Sequence, residues 1–297
     1  MRVLVTGGSG FIGTELVTAL VARGDEVVVA DLRPPRASGV TFVEGDLREE
    51  PVVAAAVTEG IEAVVHLAAI TSVLESVRQP DAVFRTNVLA TELLLEGCRT
   101  VGVRRFVFAS TNAVVGDVGR QRIDESIPLR PLTPYGATKA AGEMLLSAYD
   151  ASYGIGTVAL RFTNVYGRGM DMKDSVIARM MRAALSGGGI DIYGDGEQLR
   201  DYLYVSDAVA SIELALTGTT PGVLTIGSGE SVSMIELHAA ACIATGKAIG
   251  KAHVAAKPGE MPAVIVDIAR ARAAGYEPRY GTVDGLAATW EYFLSLQ

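Results

Sequence analysis

The chain has 297 residues, 49% of them hydrophobic and 20% charged, which suits one large α/β domain with a smaller lobe and excludes a disordered chain. Its formal net charge of −8 repels phosphate backbones and anionic lipid, so nucleic acid and membrane are excluded as default partners and a small molecule is expected. The two cysteines, Cys98 and Cys242, sit in apolar helical patterns and are expected as reduced core thiols of a cytoplasmic protein. The apolar opening stops at Thr6-Gly7-Gly8, too short for a signal-peptide core, and the longest uncharged apolar run, 63–74, is too short for a membrane span. No metal is expected.

In chain order, short β-branched runs alternate with longer helical patterns. Residues 3–5, 27–30, 40–43, 63–66 and 106–108 read as buried strands, and 11–23, 52–57 and 82–101 as helices between them. A further long helix is expected over 135–153, followed by a strand over 158–161. Such alternation predicts βαβ units: an α/β fold with a doubly wound parallel sheet of the Rossmann type. After about residue 165 glycines become denser, as in Gly187-Gly188-Gly189 and Gly194-Asp195-Gly196, and short strands (191–193, 223–226) mix with short helices. The expected organisation is a dinucleotide-binding domain over 1–165 and a smaller C-terminal substrate-binding lobe over 166–297, interwoven with the first.

Thr6-Gly7-Gly8-Ser9-Gly10-Phe11-Ile12-Gly13 joins the first strand to the first helix. Glycines at 7, 10 and 13 permit a tight turn, close backbone approach to a pyrophosphate and close helix–sheet contact, with the phosphates at the positive end of the helix. A glycine-rich turn alone is weak, but here a strand precedes it, a helix follows, and an acid, Asp31, ends the next strand. Asp31 is placed to accept hydrogen bonds from the adenosine ribose. A carboxylate there repels a 2′-phosphate, so NAD is expected over NADP, with Arg33 and Arg36 the residues able to soften that preference.

Pro134-Tyr135-Gly136-Ala137-Thr138-Lys139 sets a tyrosine and a lysine four residues apart, on one face of the expected helix. An ammonium beside the phenol, with a positive nicotinamide nearby, stabilises phenolate and is expected to lower the tyrosine pKa toward neutrality. The lysine also has the reach to hydrogen-bond the nicotinamide ribose. By itself this pair is common on surface helices; downstream of a dinucleotide fingerprint it reads as catalytic.

These motifs resemble the extended short-chain dehydrogenase/reductase family, in particular its nucleotide-sugar epimerases and dehydratases, over nearly the whole chain. By this resemblance, Gly45-Asp46-Leu47 is similar to the segment that meets the adenine, and His66-Leu67-Ala68-Ala69 to a strand end lining the cofactor. Asn87 matches a position in the helix behind it. The implied cofactor-binding set is Gly7, Gly10, Phe11, Ile12, Gly13, Asp31, Asp46, Leu47, Leu67, Ala68, Ala69, Asn87, Tyr135 and Lys139. A catalytic hydroxyl is implied just before the Tyr motif; counting back from Val114-Val115-Gly116 gives Thr111, with its neighbour Ser110 as the alternative. Thr111, Tyr135 and Lys139 then form the catalytic set.

Later segments resemble the nucleotide-sugar pocket of the 4-epimerases. The resemblance implies that Asn164, in Arg161-Phe162-Thr163-Asn164-Val165-Tyr166-Gly167, binds the diphosphate and that Arg200 clamps a phosphate, a task suited to a planar guanidinium. It also implies that Lys257, where the epimerases usually have Arg, is a second phosphate-binding cation and Glu260 a ribose-binding acid. Two departures narrow the chemistry. The 4,6-dehydratases carry an acidic pair directly after the catalytic Thr, whereas Asn112 and Ala113 stand here; and Val115 replaces a common Tyr. The expected activity is NAD-dependent 4-epimerisation of a UDP-hexose or UDP-hexuronate, by transient oxidation at C4 and re-reduction on the other face. The alternatives are an NAD-dependent sugar dehydrogenase or 4-ketoreductase and, remotely, a non-catalytic dinucleotide sensor. Val264 is expected at the pocket wall near C2, and Arg168 or Lys173 near C5 or C6. The resemblance also implies a homodimer through helical faces over 83–101 and 135–149.

Overall fold

A computed structural model describes residues 1–220, 222–256 and 261–297. Seven parallel strands form the main sheet, in the order Gly222–Ile226, Gly156–Phe162, Arg105–Thr111, Ala63–His66, Arg2–Thr6, Glu26–Asp31 and Thr41–Glu44. The central strands are buried on both faces, which is why they read as continuous Val, Leu and Ala runs rather than as alternating patterns. On one face, Phe11–Arg23 and Val205–Thr217 pack over Val3, Val5, Val107, Leu160 and Leu224. On the other, Ala90–Val101 and Pro134–Tyr153 cover Leu4, Val64, Phe106, Phe108 and Ala159.

The helix expected over 82–101 is interrupted. Pro80–Phe84 leads into a π-helical turn, Arg85–Leu89, and only then into Ala90–Val101. Such wide turns cluster at functional sites, and this one carries the buried Asn87. A helix absent from the sequence reading, Val73–Arg78, begins at Ser72, whose hydroxyl accepts from the Glu75 amide.

Beyond residue 165 the chain returns to the main sheet once, through Val205–Thr217 and the edge strand Gly222–Ile226. The remainder builds a second sheet, ordered Ser231–Ser233, Leu199–Tyr204, Ala263–Val266, Arg122–Ile123, with Asn164–Tyr166 also paired to Leu199–Tyr204. A third core lies under it, around Met180, Met181, Ile192, Leu237, Trp290 and Phe293, supplied by Val176–Ser186, Met234–Thr245 and Thr282–Leu294. Cys98 and Cys242 are both free thiols; burial pushes Cys98 up to about 12, which leaves it unreactive.

Candidate active site

The glycine turn is shaped by close contacts. Gly7 has φ +72°, and a Cβ on it would lie 2.6 Å from the Ala68 nitrogen; one on Gly13 would lie 2.1 Å from the Gly7 carbonyl oxygen. Only glycine fits at either position. The helix that follows starts with Phe11 and Ile12, has no side-chain cap and no acid in its first turn, so its leading N–H groups suit an anion. Asp31 sits at the neighbouring strand end and accepts from the Ser9 amide at 3.0 Å and the Arg33 amide at 3.2 Å, while Ser9 Oγ donates to the Arg33 carbonyl. Beside the turn lies a groove of about 460 Å³ lined by Ser9, Gly10, Phe11, Arg33, Arg36 and Arg168 among others; Thr111, Tyr135 and Lys139 are not part of it.

The other implied cofactor residues follow the strand ends. Leu67, Ala68 and Ala69 continue from Ala63–His66, half-buried next to Gly7. His66 itself is enclosed by the hydroxyls of Thr6 (2.6 Å) and Thr91 (3.0 Å), and burial, aided by Lys139, lowers it to about 3, so it is neutral. Leu47 is buried, and Asp46 is ion-paired with Arg48, whose hydrogen bonds hold its carboxyl below the usual range. Asn87 is 1% exposed; its amide bonds both backbone groups of Ile70 and donates to Thr138 Oγ1 at 3.1 Å. Its hydrogen bonds tie the loop after the fourth strand to the helix of Tyr135 and Lys139.

That helix, Pro134–Tyr153, is started by Thr133, which accepts from the Gly136 amide, and by Pro134 in its first turn. A Cβ on Gly136 would lie 2.6 Å from the Ala113 carbonyl, so glycine lets the helix approach the turn after Thr111. Thr111 ends the strand Arg105–Thr111; its Oγ1 accepts from the Ala113 amide at 3.2 Å and also hydrogen-bonds the Tyr135 phenol. One helical turn on, Lys139 is 2% exposed with its Nζ 4.5 Å from the centre of the Phe108 ring.

The electrostatics correct one expectation. Burial raises the Tyr135 pKa, and only the hydrogen bond to Thr111 acts in the opposite direction. Burial also pushes Lys139 down to about 7. Packing therefore desolvates both groups, and the protein's own side chains do not supply the expected fall of the tyrosine toward neutrality.

Ser110, the alternative to Thr111, points elsewhere: it is 4% exposed and its Oγ donates to Glu143 Oε1 at 2.5 Å. Asn112 is buried with no hydrogen-bond partner for its amide among the described residues. Val115, one of the two departures, is a core residue at 2% exposure.

On the sugar side, Asn164 is exposed and its Nδ2 donates to the Asp201 carbonyl at 3.1 Å. Asn164 pairs in register with Tyr202, two residues from Arg200 on one strand, so the two expected phosphate ligands share an edge. The Arg200 guanidinium donates to the carbonyls of Leu199 and Met261, and Val264 lies opposite it on the neighbouring strand. Lys257 and Glu260 lie outside the described residues. Arg168 is turned toward Glu15 on the first helix (3.7 Å), and Lys173 Nζ lies 4.8 Å from the Phe11 ring centre; both border the glycine turn rather than the Thr111–Tyr135 pair.

Sequence reasoning missed Asp201. Fully buried, its carboxylate accepts from Thr163 Oγ1, from the Ser228 amide and hydroxyl, and from the Gly229 amide, which fixes the segment leading into Asn164. No local pattern marks it, because its partners come from separate stretches of the chain. Glu143 and Arg161 were missed too, although Glu143 stands four residues beyond Lys139 on the same predicted helix face.

Residues 3–227 match the model of the NAD dependent epimerase/dehydratase family. A dTDP-glucose 4,6-dehydratase of Streptomyces niveus is 34% identical, over 99% of this chain and 93% of its own length. The structure of a Thermus thermophilus UDP-glucose 4-epimerase in complex with NAD superposes with a TM-score of 0.91 at 38% identity, covering 99% of both chains. That of MoeE5 in complex with UDP-glucuronic acid and NAD gives 0.92 at 38%, covering 100% of both. With its glycine turn, its Asp31 and its Tyr135–Lys139 helix all disposed at the C-terminal edge of one parallel sheet, the chain belongs to the NAD-dependent epimerase/dehydratase family.

Proposed function

We propose that the protein is an NAD-dependent 4-epimerase of a UDP-hexose or UDP-hexuronate. The observation that carries this reading is the turn after Thr111. Thr111 hydrogen-bonds Tyr135, yet the next two residues, Asn112 and Ala113, hold no acid to protonate a leaving hydroxyl. The carboxylate that does reach this strand, Glu143, is occupied by Ser110 and Arg161. Dehydration lacks its proton donor, while oxidation and re-reduction at C4 need only the three groups present and a nicotinamide cofactor to take and return the hydride.

In this mechanism Tyr135 takes the proton of the C4 hydroxyl while Thr111 holds that oxygen. Lys139, one turn further along the helix, would hydrogen-bond the cofactor ribose. NAD, when bound, would supply the acceptor for the C4 hydride and its source for re-reduction. The resulting 4-keto sugar turns about its diphosphate, held by Asn164 and Arg200 with Lys257 and Glu260, and recovers hydride and proton on the opposite face. Gly7, Gly10, Phe11, Ile12, Gly13 and Asp31 would hold the cofactor, together with Asp46, Leu47, Leu67, Ala68, Ala69 and Asn87. UDP-sugars in the solved relatives support the substrate class. Exposed Leu89 and Met144 on the two helical faces support a homodimer, expected as a two-chain mass in light scattering.

The test is a panel of UDP-glucose, UDP-galactose, UDP-N-acetylglucosamine and UDP-glucuronate, with products separated by chromatography and cofactor followed by absorbance. C4 epimers are expected with no net change in NAD. Steady consumption of NAD would instead mark a net oxidoreductase, and a 4-keto-6-deoxy sugar a dehydratase.

A further inference from the structure

One turn beyond Lys139 and two beyond Tyr135, the catalytic helix carries Glu143, and both it and Arg161 have side chains only 4% exposed. Arg161 grips the carboxylate through Nε (2.9 Å) and Nη2 (2.8 Å), and Ser110 Oγ donates to the same group at 2.5 Å. Ser110 and Arg161 are directly opposite in register on adjacent strands, so one carboxylate spans both strands from the helix above. Each member lies close to a residue of the site: Ser110 precedes Thr111, Glu143 shares a helix with Tyr135 and Lys139, and Arg161 is three residues before Asn164. A buried ion pair is a poor source of stability, because apolar side chains of similar volume usually do as well or better. What it provides here is a fixed distance between three segments that packing alone leaves adjustable.

We propose that Glu143 is a positioning residue, which through Ser110 holds the strand end bearing Thr111 in register with the helix bearing Tyr135 and Lys139. Arg161 compensates the charge and carries the same constraint to the strand that continues into Asn164. Without the link, the strand end shifts against the helix and the Thr111–Tyr135 hydrogen bond lengthens. Misplacement of about 1 Å is enough to cost a hundredfold in rate. The inference rests on Thr111, Tyr135 and Lys139 being the catalytic set.

The cleanest perturbation is Ser110→Ala in the NAD-loaded enzyme, since it cuts the link to the strand and leaves the Glu143–Arg161 pair whole; Ser110→Cys keeps a weak donor. Glu143→Gln and Tyr135→Phe are measured alongside. For Ser110→Ala the expected result is a melting temperature within a few degrees of the parent, KM changed less than about threefold, and kcat reduced about 10- to 100-fold. The apparent ionisation of Tyr135 in the kcat/KM profile should move to higher pH, because the hydrogen bond from Thr111 favours phenolate. The other charged groups at this helix, Lys139, Glu143 and Arg161, are unchanged in the variant. Ser110→Cys should fall between, and Glu143→Gln should match or exceed Ser110→Ala. A Ser110→Ala enzyme with the parent kcat and pH profile overturns the proposal, as does a loss that only tracks the unfolded fraction. An active Tyr135→Phe enzyme would refute the catalytic set itself, a separate failure.

Discussion

Lys139→Met should stabilise the cofactor-free protein while disabling it. The ammonium is 2% exposed, and burial takes its pKa from the ordinary 10.5 to about 7. At about 1.4 kcal/mol per pH unit, that drop corresponds to roughly 5 kcal/mol of opposition to folding whenever the amine is protonated in both states. The sign follows from proton binding. Between pH 7 and 10.5 the unfolded chain holds a proton that the folded chain has lost, so stability rises with pH across that window. Below pH 7 the cost is complete, and above 10.5 it vanishes. The Phe108 ring 4.5 Å from Nζ recovers part of it. Methionine is of similar length and apolar, so the variant is expected to exceed the parent by roughly 2–5 kcal/mol at about pH 6, with the gap closing steadily toward about pH 10. Urea unfolding of nucleotide-stripped protein at several pH values, followed by the fluorescence of Trp290, measures this directly. A parent at least as stable as the variant at the acid end, or a gap independent of pH, would refute the reasoning. The same variant should turn over slowly and bind NAD more weakly, a stability cost retained for function.

On the proposed mechanism, in which the phenol acts in proton transfer, Tyr135→Phe is expected to lower kcat by roughly a hundred- to ten-thousandfold, with UDP-sugar and NAD affinities changed only a few-fold in calorimetry. Gly13→Ala puts a Cβ 2.1 Å from the Gly7 carbonyl oxygen and should abolish tight NAD binding together with several degrees of melting temperature; an unaltered NAD complex would mean that the turn yields easily. NAD should bind more tightly than NADP, since the Asp31 carboxylate, fixed beside the glycine turn by the Ser9 and Arg33 amides, would repel a 2′-phosphate there; equal dissociation constants would show that Arg33 or Arg36 neutralises it.

The main sheet and the cofactor turn were legible in the sequence because each depends on local signals: Val-rich runs for strands buried on both faces, glycines where a Cβ would strike backbone, and Tyr135 and Lys139 at helical spacing. The first helix was anticipated over 11–23 and found as Phe11–Arg23. The helix over 82–101 was legible in extent but not in form, because the π turn at Arg85–Leu89 answers to Asn87 bonding Ile70 and Thr138, residues distant in the chain. The second lobe was only sketched. Its strands are short and pair across long intervals, as Arg200 does with Val264, and no local periodicity encodes such partners.

Tertiary structure alone decided the environments. Thr111 and Ser110 are indistinguishable as adjacent hydroxyls, but alternation along a strand turns one to Tyr135 and the other to Glu143. Arg168, which in sequence is only a loop cation, lies beside Glu15 of the first helix in the fold. The Tyr135 pKa is raised rather than lowered, and that of Lys139 falls to about 7, because desolvation depends on everything packed around a group, which a spacing of four residues does not reveal. Sequence determined which chemical groups the chain carries and the local geometry of the turn and helix that present them; their burial, partners and charge state came only with the packing of segments distant in the chain.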